Sequence, residues 1–192
     1  DEFGRTQNGN NNPYNVDGLG TYNNYNMINT DSPNAVSGGY HNNLGTDSNA
    51  DNKNALFLFA KYVMNLRKNS VALRQSDYSV TYTFKKEDGV TDLSNGDRCV
   101  WIRIDGSSKG DSDYLVFINM WTSLVNYTVP APDSGKKWVR IIDTASWAEY
   151  NVGASAYNNY WEVTDPNAYQ VTSSVSYGVN AWSVVVFQEA NQ

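Results

Sequence analysis

Asp1 and Glu2 are the first residues of this chain able to do chemistry, two carboxylates side by side with Arg5 close behind. Acid–base catalysis by a pair of carboxyl groups needs the two facing each other across the substrate. Adjacent residues of an extended strand point to opposite faces, so Asp1 and Glu2 make a poor dyad. The run Gln7-Asn8-Gly9-Asn10-Asn11-Asn12 behind them is dense in amides. Amides present both donors and acceptors, which suits a lining for neutral hydroxyl groups. Composition alone equally allows a flexible polar tail. His41 is the sole histidine, which speaks against a zinc site. Cys99 is the sole cysteine, so no intrachain disulfide can form; it lies in an apolar strand pattern with no histidine nearby and reads as a small buried hydrophobe. Asp47-Ser48-Asn49-Ala50-Asp51 alternates oxygen ligands as calcium loops do. Asn52 and Leu58 stand where such a loop needs glycine and glutamate, so the plainer reading is a helix N-terminus. Calcium is the one metal the sequence leaves open, and no other cofactor is expected.

The elements that must position these residues fall in two parts. Residues 4–52 form a long irregular stretch studded with Tyr14, Tyr22, Tyr25, Tyr40 and His41. A loop of that length inside a compact domain is usually functional or disordered. Next, Leu56, Phe59, Ala60, Val63 and Leu66 recur at three- and four-residue steps and predict an amphipathic helix over 53–69, capped by Asp51 or Asn52. Lys61, Arg67 and Lys68 sit in its C-terminal half, where cations complement the dipole. From Tyr78 onward the period becomes 2. Strands are expected over 78–84, 100–104, 114–121, 124–129, 138–142, 169–175 and 181–187, with a weaker one at 160–163. Turns at Asp88-Gly89, Asn95-Gly96, Asp105-Gly106, Ser134-Gly135 and Asp165-Pro166 separate them. Short strands at this spacing predict an antiparallel β-sandwich, so the fold class is mainly β.

The opening Asp1-Glu2-Phe3-Gly4-Arg5-Thr6-Gln7-Asn8-Gly9-Asn10-Asn11-Asn12-Pro13-Tyr14-Asn15-Val16-Asp17 also resembles a known segment. It is similar to the stretch after the eighth barrel strand in isoamylase-type debranching enzymes of the α-amylase superfamily, glycoside hydrolase family 13. Asn69-Ser70-Val71-Ala72-Leu73-Arg74 partly resembles that family's His-Pro-Ala-Leu-Arg, with Asn and Ser where His and Pro are common. Trp138-Val139-Arg140-Ile141-Ile142-Asp143-Thr144 resembles its Trp-x-x-x-x-Asp-Thr strand, and Ser183-Val184-Val185-Val186-Phe187 its usual last strand.

The resemblance implies that residues 1–75 are the end of a (β/α)8 barrel, namely the last strand end, an active-site loop and the last helix. Residues 76–192 would be the C-terminal β-sandwich. It implies a debranching α-glucan hydrolase acting on α-1,6 branch linkages of starch or glycogen, with its catalytic carboxylates upstream of Asp1 and none in this chain. Arg5, Asn11, Asn12 and Asp17 would then be loop residues that bind substrate hydroxyls. For each, the alternative is a side chain that fixes a turn through bonds to the backbone. A non-catalytic carbohydrate-binding module or a purely structural sandwich is the competing reading.

Composition narrows the partners. A net charge of −6 argues against nucleic acid or an anionic membrane, and leaves neutral polysaccharide open. No run reaches the ~18 apolar residues of a membrane span. Absence of a signal peptide leaves the compartment open. The helix, on the barrel reading, carries an apolar face made for another domain, so self-association through it, or a repacking of the N-terminal segment over it, is expected of the chain alone. Six tryptophans offer stacking surfaces for sugar rings. Most strand tryptophans are core or sheet-packing residues; Trp147, Tyr150, Tyr157, Tyr160 and Trp161 lie where the strand pattern is weakest and are the first candidates for an exposed aromatic patch.

Overall fold

The computed structural model describes residues 12, 14, 55–76, 78–146 and 159–192. The chain divides into two compact units, Asp1–Met64 with Tyr150–Tyr157, and Asn65–Glu149 with Asn158–Gln192. The helix is present as α1, Ala55–Asn69, with Arg67 and Lys68 in its last turn. Its expected caps, Asp51 and Asn52, lie outside the described residues.

The strands are β1 Thr81–Lys85, β2 Cys99–Asp105, β3 Tyr114–Asn119, β4 Val125–Val129, β5 Lys136–Asp143, β6 Gln170–Val171, β7 Val175–Val179 and β8 Ser183–Asn191. They form a six-stranded sheet in the order β1-β2-β3-β8-β5-β6 and a two-stranded sheet of β4 and β7. Every pairing is antiparallel. The chain is therefore mainly β, as its period-2 pattern implied.

The two sheets pack face to face because one cluster draws residues from both. Trp101, Leu115, Phe117, Trp138, Val185 and Phe187 come from the large sheet, and Tyr127, Val129 and Val179 from the small one. Phe117 and Tyr127 stack across the interface with ring centroids 5.0 Å apart. Each such buried ring contributes about 1.5–3 kcal/mol through burial, and an aromatic pair about 0.5–1.5 kcal/mol more. Polar handles on the rings tie strand to strand. Tyr127 Oη donates to the Ile118 carbonyl at 2.7 Å, and Trp101 Nε1 to the Thr128 carbonyl at 2.9 Å.

The register also makes the other face of the large sheet apolar. Phe84, Ile102, Val116 and Val186 stand in one cross-strand row, and Val100, Ile118 and Val184 in the next.

Three expectations change. Residues 160–163 do not form a strand; Tyr160 makes an isolated bridge to Ile142 and Trp161 N–H one bond to the Ile141 carbonyl before the turn at Asp165. The stretch 169–175 is two strand segments belonging to different sheets, β6 and the start of β7. The strand expected over 114–121 ends at Asn119, whose side chain turns back to bond the following loop.

Candidate functional site

Of the four residues expected to bind substrate, Asn12 alone is described; Arg5, Asn11 and Asp17 lie outside the described residues. Asn12 is exposed and its Oδ1 accepts the Tyr14 N–H at 3.4 Å, a side-chain-to-backbone bond of the turn-fixing kind. The segment Asp47–Asp51 and His41 also lie outside. Among the described residues, no group of three or more His, Cys, Asp or Glu side chains is placed to hold a metal ion. No helix among them is long and apolar enough to cross a membrane.

The buried carboxylates of the sandwich each have donors around them. Asp113 lies in the return from β2 to β3. Its Oδ2 accepts from Arg103 Nε at 3.0 Å and Nη2 at 2.7 Å, and its Oδ1 accepts the backbone N–H groups of Gly106 and Ser107. Glu189 on β8 accepts from Lys136 Nζ at 2.7 Å and from Asp133 N–H at 3.1 Å. The carboxylate beside Lys136 pushes the ammonium pKa up. These two residues, with Asp111, Ser112 and Gln188, line a polar cavity of about 310 Å³.

Asp143 shows how register builds such a node. Residues 140 and 143 of a regular strand would face opposite ways. The β5–β8 register slips between Arg140 and Ile142, so Arg140 pairs with Phe187 and Asp143 with Val185, both on the core side. Arg140 Nη1 then donates to Asp143 Oδ2 at 3.2 Å and to Tyr177 Oη at 2.6 Å, while Tyr177 Oη donates to Asp143 Oδ2 at 3.1 Å. Burial, and then the Asp143 charge, push the Tyr177 pKa up to about 12.

The shifted carboxylates, Asp88, Asp97 and Asp105, all move below the ordinary value, led by hydrogen bonds from the Thr91 hydroxyl, the Ser94 N–H and the Ser107 hydroxyl respectively. A glycosidase acid needs the opposite shift, toward a proton held at neutral pH.

Two of the five candidate patch residues, Tyr160 and Trp161, are among the described residues. Trp147, Tyr150 and Tyr157 lie outside the described residues. Tyr160 and Trp161 are half-buried, and the Arg140 guanidinium covers the Trp161 ring at 4.2 Å. Trp101 and Trp138 belong to the core. Among the described residues, the exposed indoles are Trp121, 41% accessible, and Trp182, 64%. Both stand at one end of the sandwich, beside the directly paired Asn119 and Ser183. Asn119 is fully buried and braces that end. Its Nδ2 faces the carbonyls of Ser123, Val179 and Asn180, each at 2.9 Å, and its Oδ1 accepts the Trp121 N–H at 2.9 Å. Alternation missed this pair because it read both tryptophans as strand residues; the strands stop one or two residues short of them.

Fold and side chains together define an antiparallel β-sandwich in which the buried carboxylates Asp113, Asp143 and Glu189 serve structural nodes. Residues 85–188 match the family described as isoamylase, C-terminal, and the chain belongs to that family. An isoamylase of Pseudomonas amyloderamosa is 32% identical over 165 residues, covering 82% of this chain and 18% of that protein. An isoamylase of Flavobacterium sp. is 31% identical over 166 residues, covering 78% of this chain and 18% of that protein. The chain thus spans about a fifth of the length of the curated relatives it matches. A solved α-amylase of H. orenii shares 15% identity with a TM-score of 0.37 over 76% of this chain and 22% of its own.

Proposed function

We propose that this chain is the C-terminal part of a debranching α-glucan hydrolase that cleaves α-1,6 branch linkages of starch or glycogen. One observation carries the reading: the likeness to isoamylase covers 82% of the chain, more than residues 76–192 can supply, so it runs into the segment before the sandwich. On this reading residues 1–75 complete a (β/α)8 barrel, and 76–192 form the domain behind it. The retaining mechanism uses two carboxyl groups, an acid and a nucleophile, flanking the scissile bond. Both lie in the part of the enzyme before Asp1. Arg5, Asn11, Asn12 and Asp17 contribute hydrogen bonds to glucan hydroxyls from the rim of that site. The sandwich supplies stability, and the apolar outer face of its large sheet gives it the character of a layer seated against further protein.

The test is hydrolysis by the full-length enzyme. Incubation with amylopectin should release linear chains and deepen the iodine stain. Activity on linear α-1,4 glucan with none on branched glucan would overturn the reading, as would release of reducing ends by the 192-residue chain alone.

The helix bears on the chain in isolation. Val63 and Met64 on α1 are exposed, and self-association of the 192-residue chain through that face follows from the same reading. Light scattering should give a dimer that Met64→Lys dissociates; a monomer at micromolar concentration counts against it.

A further inference from the structure

Building on the glucan reading above, we propose that the end of the sandwich bearing Trp121 and Trp182 is a non-catalytic binding site for a neutral α-glucan chain. The pyranose rings stack on the two indoles. Four observations converge on it. The first is placement. Asn119 and Ser183 are paired across β3 and β8, with Trp121 two residues beyond one and Trp182 one residue before the other. Chain geometry holds their Cα atoms within about 17 Å, a span for one short oligosaccharide.

The second is exposure. Tryptophan is highly buried on average, yet these two present much of their surface to solvent. Met120 and Leu124 are exposed with them.

The third is the backbone. Trp182 has φ 55° and is, among the described residues, the one non-glycine residue with positive φ. L side chains rarely adopt that conformation, and such strain collects at ligand clamps and active sites. The Asn119 node holds both loops in place, and the Ser183 hydroxyl adds a bond to the Asn180 carbonyl at 2.6 Å.

The fourth is charge. The nearby polar side chains Thr122, Ser123, Asn126 and Asn180 are neutral donors and acceptors. The neighbouring cation, Arg98, lies over the Trp121 ring at 5.0 Å and is engaged there. A chain of net charge −6 disfavours a polyanion. Electron-rich ring faces and neutral hydrogen-bonding groups fit a polyol with apolar C–H faces.

The test uses the 192-residue chain, native gels cast with and without glycogen, and a tryptophan-fluorescence titration with maltoheptaose. Glycogen should retard the chain, and dextran sulfate should not. Trp121→Ala and Trp182→Gly should each weaken binding about tenfold, the loss expected for one stacking face. Glycine adopts positive φ freely, so Trp182→Gly should unfold at or above the parent temperature, which separates lost binding from lost fold. No retardation by glycogen overturns the proposal, as does retardation that both variants keep. A dimer that Trp121→Ala dissociates, in a chain glycogen does not retard, also overturns it by making the patch a contact between copies. Retardation without hydrolysis by the full-length enzyme would leave this site standing and remove the debranching reading. Hydrolysis without retardation would do the reverse.

Discussion

Replacing Asn119 tests whether one buried amide holds the loop end of the sandwich together. Its Nδ2 has two hydrogens, shared among three carbonyls at 2.9 Å, and its Oδ1 accepts the Trp121 N–H. A neutral hydrogen bond nets about 0.5–1.5 kcal/mol, and a buried group left without a partner costs about 1–3 kcal/mol. Asn119→Ala removes the amide, orphans the Trp121 N–H and strips the Val179 carbonyl of this donor, so the loss should be about 3 kcal/mol. Asn119→Asp keeps the shape and the Trp121 bond but sets an anion against three carbonyl oxygens. A buried charge without a partner costs about 3–5 kcal/mol. The aspartate variant should therefore be less stable than the alanine variant at neutral pH. Its carboxyl pKa would be raised in the fold, so the deficit should shrink as pH falls and the group takes a proton. Urea unfolding followed by tryptophan fluorescence measures both, with an unchanged m-value showing that the comparison is fair. Asn119→Ala within about 1 kcal/mol of the parent would refute the bracing role. So would an aspartate variant more stable than alanine at pH 7.

Other perturbations read other parts of the sandwich. A Cβ at Gly106 would sit 1.9 Å from the Ser112 carbonyl oxygen; Gly106→Ala must move backbone and should cost about 3 kcal/mol in calorimetry. Tyr177, pushed up to about 12 from an ordinary 10.0 by burial and the Asp143 charge, keeps its proton in the folded state after the unfolded state has lost it. Its contribution is whole below pH 10 and fades as pH rises toward 12, so Tyr177→Phe should make the alkaline fall in stability shallower. Asp88, pulled down to about 2 by the Thr91 hydroxyl and the N–H groups of Val90 and Thr91, works in reverse. Its contribution is present above 3.8 and disappears as pH falls toward 2, a loss that Asp88→Ala should lack in acid-titrated thermal melts.

The helix and most strands were legible because each has one dominant period. In β2, Trp101 and Arg103 alternate with Val100, Ile102 and Ile104, and the strand forms where that pattern stands. Yet alternation could not say which set faces the core, since both faces of β2, β3 and β8 carry large apolar residues. β7 was mostly missed because Gly178 interrupts a Ser- and Tyr-containing run. In the fold that glycine is suited to its place: a Cβ there would meet the Leu124 methyls at 3.3 Å. The false strand at 160–163 had the right residue types, but only two backbone links to β5 are available to it. Trp182 was assigned to a strand because its neighbours Val184–Phe187 are strand-like; nothing in sequence announces a positive φ at a tryptophan.

The distribution of charge fits the division of labour that the proposed function requires. A catalytic acid has to hold a proton at neutral pH, and a nucleophile has to meet a bond, so each needs an oxygen open to substrate. Asp113, Glu189 and Asp143 are buried in this sandwich and receive cationic or neutral donors from it. Withdrawing any one of them to serve a substrate would leave its donors buried and unpaired, at a cost the domain could not easily absorb. The backbone slip in β5 makes the point locally, because it brings Arg140 and Asp143 to one face only to close them on each other and on Tyr177. Trp121 and Trp182 have no such obligation: their ring faces can be covered or uncovered without unsatisfying a buried charge. On the function and binding site proposed above, such a domain would hold a glucan while residues elsewhere cut it.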